Sequence, residues 1–142
     1  MPVHTHWVRF AQCIVALNAL FFLGTGSVIL LDAPVFHALV HFQPFNRHYL
    51  GDAGIFQFAL GLGLLWALPA PAERVAHIWI ATIASFMHTA NHLYDTLFVS
   101  TPPVFAGWLA QTIVLLILAL SLLAVAIGYR SGTGAAPAAI ET

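Results

Sequence analysis

Three side chains near the end of an apolar stretch set the chemical question. In Phe86 to Asp95, FMHTANHLYD, His88, His92 and Asp95 stand at i, i+4 and i+7, so on a helix they share one face over two turns. A second group opens another apolar stretch, Asn46-Arg47-His48-Tyr49-Leu50-Gly51-Asp52, in which His48 and Asp52 are four apart and share a face if the helix has begun by His48. Imidazoles and carboxylates one turn apart are the material of bundle-core metal sites. This donor set suits Zn²⁺ or Fe, with Cu²⁺ less well matched, and one Cys and two Met argue against a Cu(I) site. The same groups also read as a hydrogen-bonded network that closes the end of a bundle, Asp95 holding His92 or Arg47 and Arg47 pairing with Asp52, or as a proton relay or other ligand pocket.

Roles follow if the site is catalytic. His48, His88 and His92 are then the metal ligands and Asp52 or Asp95 is ligand or base, with a metal-bound water as nucleophile or an open iron position as oxidant. Arg47 supports this layer, and Asp32, His37 and His41 in the preceding loop cap it. Familiar machinery is absent from the sequence: no Glu-x-x-His pair of di-iron bundles, no H-E-x-x-H, no G-x-S-x-G, no P-loop. Cys13, alone inside an apolar run, reads as a small buried hydrophobe.

The elements that position these groups are set by composition. Of 142 residues, 61% are hydrophobic and 6% charged, where a soluble domain carries about 25% charged residues; a water-soluble surface cannot be made from this. A net charge of −1 provides no field for nucleic acid. A bilayer core of about 30 Å needs about 20 mainly apolar residues per helix, and four Pro-free segments meet this, at 8–31, 52–68, 75–97 and 104–128. The expectation is therefore an all-α polytopic membrane protein, a four-transmembrane-helix bundle over residues 1–130, with a disordered tail at 131–142. The second span is short unless Tyr49, Leu50 and Gly51 join it. The first is too long for a signal peptide and ends in Asp32-Ala33-Pro34 with no cleavage motif.

Four crossings put both termini on one side together with the Pro69 to Arg74 turn. That side collects Arg9, Arg74 and Arg130 against Arg47 opposite, which makes it cytoplasmic. An antiparallel second and third span then bring the two His/Asp groups to one depth near the non-cytoplasmic face. Trp7, Trp79 and Trp108 fall near span ends as interface anchors, with Trp66 an anchor or a packing residue. Gly24 and Gly26, Gly54, Gly61 and Gly63, and Ala81, Ala84 and Ser85 allow close helix approach, within the bundle or between copies. Asn18 in mid-span calls for an interhelical hydrogen bond, with Gln57 as its expected partner, while Gln111 reaches the His/Asp layer.

The run NRHYLGDAGIFQFALGLGLLWAL, followed by a helix ending in MHTANHLYD, resembles a broad group of bacterial four-helix membrane proteins, DoxX-like in pattern, that have no settled activity. The resemblance covers Gly24 to Asp95 and implies that Arg47, His48, Asp52, His88, His92 and Asp95 form a shared site. The Arg-only, Ala-rich composition is associated with high-GC bacterial genomes, and the expected location is a bacterial inner membrane. Three functions are then expected to compete: a metal-dependent enzyme on a lipid-soluble substrate or a metal handler, a non-catalytic subunit of a larger membrane complex, and a small transporter or proton path.

Overall fold

The computed structural model describes residues 2–41 and 44–130, with the side chains of 2–4 and 103 left aside. The expected tail, 131–142, lies outside the described residues. Helix α1 spans Pro2–Leu31, and a short α2 spans Ala33–Val40 within what reads in sequence as a Pro-containing loop. Its boundaries have local causes. Asp32 caps the helix by accepting from Val35 N at 3.1 Å, and Pro34 sits in the first turn, where a missing N–H costs nothing. His41 ends it in the left-handed region at φ 55°, its N–H bonded to His37 O at 2.9 Å. Helix α3, Arg47–Ala67, starts at Asn46, whose side chain accepts from Tyr49 N at 3.0 Å. It therefore takes in Tyr49, Leu50 and Gly51. Helix α4, Val75–Tyr94, runs into a π-helical turn at Asp95–Val99, and α5 spans Pro102–Arg130. No strand occurs among the described residues.

Three stretches, Thr5–Leu31, Arg47–Ala67 and Val104–Arg130, are long and apolar enough to cross a membrane. The sequence leads one to expect a fourth at 75–97. Helix α4 has the length, at 20 residues, but carries His77, His88, Asn91 and His92 among its apolar residues. Large side chains such as Leu20, Phe56, Met87 and Phe98 stand well exposed on the outside of the molecule, as lipid contact requires.

The closest helix pairs are α1 on α3 and α4 on α5. On the first, a Cβ at Gly26 would lie 2.8 Å from Phe58 N, and one at Gly61 2.8 Å from Leu23 N, so these glycines permit backbone contact. Gly24 meets nothing within 4 Å, and a Cβ at Gly63 would be in ordinary contact with His77 at 3.8 Å. On the second, Thr82, Ser85 and Thr89 are buried, each hydroxyl donating to the carbonyl four residues earlier at 2.7 to 2.8 Å, which keeps this face of α4 slim.

Asn18 is fully buried and donates to Ser121 Oγ on α5 at 3.1 Å and to Ile14 O at 3.0 Å. Its expected partner Gln57 accepts instead from Thr25, because the two amides lie on different seams of the bundle. Interhelical bonds of this kind in lipid contribute about 0.6 to 1.7 kcal/mol. Ser121→Ala is expected to lower stability by about 1 kcal/mol in a reversible detergent-unfolding titration; a change near zero would mean that Asn18 finds another partner. At the turn between α3 and α4, Arg74 caps α3 by donating to Trp66 O and lies 4.3 Å from the centre of the Trp66 ring, which is itself 62% exposed. Trp7 seats against Gly128 and Tyr129 at the opposite corner.

Candidate functional site

At the end of the bundle where α2 bridges α1 and α3, five elements enclose a cavity of about 110 Å³. Its apolar part is Ile29, Leu50 and Phe36, which belong to a small separate core with Ala33. Helix α3 contributes Tyr49, Ala53 and Gln57, at i, i+4 and i+8, and the small Ala53 leaves the space. The polar wall comes from α4 and its continuation: His88, Asn91, His92 and Asp95, at i, i+3, i+4 and i+7. Trp108 and Gln111 of α5 complete it, Gln111 as the sequence leads one to expect. Trp108 Nε1 donates to Val40 O at 3.0 Å, tying α5 to the end of α2.

The two imidazoles are half-buried and their ring centres are 4.6 Å apart, edge to face at 74°. Neither ring has a hydrogen-bond partner among the described residues. Asn91 Nδ2 donates to Asp95 Oδ2 at 3.3 Å. Just past this wall the backbone widens into the π turn, with Ser100 N bonded to Asp95 O at 2.8 Å. Such turns recur at functional sites because they re-aim side chains. Thr96 pins the turn: its hydroxyl accompanies Thr112 on α5 at 3.1 Å and donates to His92 O at 2.7 Å.

The other expected residues lie elsewhere. His48 and Asp52 are one turn apart and form an ion pair at 3.6 Å, but their side chains are 92% and 54% exposed and neither lines the cavity. The reason is helical phase. Each is two residues from the buried Leu50, about 200° around the helix, so burying Leu50 turns both outward. Arg47 is exposed, Asp32 caps α2, and His41 is an exposed helix cap. His37 packs edge-on against Phe45 at 5.1 Å and does not line the cavity. Among the described residues no group of three or more His, Cys, Asp or Glu is placed to hold a metal ion together. The structure thus brings together His88, His92 and Asp95 and leaves His48, Asp52, Arg47, His37 and His41 outside. Tyr49, Gln57 and Trp108 join the site without having been read as part of it; the spacing of Tyr49, Ala53 and Gln57 was the available signal.

Comparison with protein-family models, with curated proteins and with solved structures finds no match.

Proposed function

We propose that this chain is a four-span integral membrane protein that binds a small membrane-dissolved molecule in the cavity walled by His88 and His92. The fourth crossing is α4. Its 20 residues at about 1.5 Å each match a core of about 30 Å; His88, Asn91 and His92 line the cavity and Thr82, Ser85 and Thr89 are buried in the bundle, which keeps them out of lipid. The Arg distribution favours cytoplasmic termini and a cavity toward the non-cytoplasmic face, and the DoxX-like resemblance favours a bacterial inner membrane.

One observation supports the ligand reading above the rest: two half-buried imidazoles share a cavity wall and neither has a hydrogen-bond partner among the described residues. Ring nitrogens with no partner inside the protein are available to a ligand that brings a donor or an acceptor. A metal-dependent form is favoured by a second observation, the one-turn spacing and 4.6 Å ring separation of the pair, since two His at i and i+4 are a known chelating arrangement for divalent metals. Zn or Fe on His88 and His92, with Asp95 as a nearby base, would make the cavity a metalloenzyme site for a lipid-soluble substrate or a metal-handling site. His48 and Asp52 have no part in it.

Protein purified in mild detergent beside a His88→Ala/His92→Ala variant tests both forms, by native mass spectrometry for a retained small molecule and by elemental analysis for metal. The wild type is expected to carry a bound mass, with or without Zn or Fe, that the variant lacks. Two empty proteins, or two equally loaded ones, would contradict the proposal.

A further inference from the structure

A second hollow, of about 580 Å³, runs along the outside of the bundle between α3 and α4. It exists because these two helices make the looser contact and because Ala59, Gly63 and Ala84 leave their facing surfaces shallow. The walls are otherwise hydrocarbon: Phe56, Ile80 and Met87, the last 70% exposed at the lip. Along α4 the groove extends from His77 to His88, 11 residues of helix or about 16 Å, a little over half of a bilayer core about 30 Å thick, from near the α3–α4 turn to beyond mid-span. His88 lines this groove and also the half-open cavity. An apolar groove open to lipid therefore reaches one residue of the polar wall already described.

The charge of that wall narrows the ligand. Among the described residues Asp95 is the one carboxylate lining the cavity and no Arg lines it, so the lining offers no fixed positive charge to a phosphate or a carboxylate. The remaining polar groups, the amides of Asn91, Gln57 and Gln111 and the two imidazoles, suit a neutral head with a hydroxyl or carbonyl.

We propose that the cavity and the groove form one binding site for a neutral single-chain amphiphile, with its hydroxyl or carbonyl head at His88 and His92 and its hydrocarbon chain in the α3/α4 groove, entering sideways from the bilayer. This rests on the cavity reading and adds the chemical class of its ligand and the route it takes. The chain runs from the cavity past mid-span toward the α3–α4 turn, with the head on the cavity side.

The probe is hexadecanol carrying a mid-chain diazirine, added to the full chain in phosphatidylcholine nanodiscs, photolysed and mapped by peptide mass spectrometry. Labelling is expected at Phe56, Ile80 and Met87 and to be displaced by excess plain hexadecanol. Gly63→Leu fills the groove at a position with room for a Cβ, and is expected to cut this labelling about tenfold, the effect of about two displaced methylenes. Met87→Trp, at the exposed lip, should do the same without touching the core. His92→Ala, which alters the cavity but not the groove, should also reduce it. Labelling spread equally over the lipid-facing sides of α1 and α5 overturns the proposal. Labelling lost in His92→Ala but indifferent to both groove variants overturns the groove and leaves the cavity reading standing. Labelling lost in the groove variants but indifferent to His92→Ala overturns the single-site proposal together with the cavity reading.

Discussion

Gly26→Ala is expected to destabilise the folded protein by about 1 to 3 kcal/mol, whereas Gly24→Ala, two residues away on the same helix, leaves its stability unchanged or slightly raised. A Cβ at position 26 would sit 2.8 Å from Phe58 N, 3.0 Å from Gly54 O and 3.1 Å from Phe58 Cα. All three are backbone atoms of α3, so no side-chain rotation relieves the contact and the helices must part. Forced overpacking costs about 1 to 3 kcal/mol, and here it strikes the most closely packed helix pair. Against a total stability of about 5 to 15 kcal/mol this is a large share. At position 24 nothing lies within 4 Å, and replacing Gly by Ala inside a helix favours the helix by up to about 1 kcal/mol. The fraction of folded protein in a graded dodecyl sulfate titration distinguishes the two. Equal midpoints for both variants would show that α1 and α3 do not meet through Gly26.

Trp108→Ala is expected to release α2 from the bundle and open the cavity. The indole is half-buried in the cavity wall, and its N–H is the bond from α5 to the last residue of α2. Full truncation of a core Trp costs about 3 to 5 kcal/mol, and about half of that at a half-buried position corresponds to a change in local opening of about thirtyfold. Amide exchange across Ala33–Val40 should speed up by that order. Trp108→Phe keeps most of the ring and loses the hydrogen bond, worth about 1 kcal/mol, so exchange there should rise only about fivefold. If both variants exchange at the wild-type rate, α2 is held by its own contacts with Ile29 and Leu50, and the cavity does not depend on α5 for its closure.

The sequence made some of this legible, and particular residues show where it stopped. Apolar runs and their breakers placed the long helices, because length and hydropathy are local properties. The face shared by His88, His92 and Asp95 was readable from spacing within one helix. Spacing does not fix how a helix is rotated against its neighbours, and that is why His48 and Asp52 point away from the cavity. The rotation of α3 follows from burial of Leu50, Gly51, Gly54 and Gly61, a packing fact that involves α1. Helix α2 was hidden for another reason: Pro34 reads as a breaker, yet at the first turn of a helix it is compatible with one. The partner of Asn18 proved to be Ser121 rather than Gln57, since three other long helices were available to it and one polar residue does not identify which.

The claim that His88 and His92 are the binding groups of the cavity can be tested by following their own nuclei. With histidine ¹⁵N-labelled protein in bilayers, ring-nitrogen shifts are recorded before and after loading with hexadecanol, each signal assigned by single His→Gln variants. The signals of His88 and His92 should move together, while those of His37, His41, His48 and His77 stay in place. Unmoved signals for His88 and His92, or movement at His48 instead, would contradict the account.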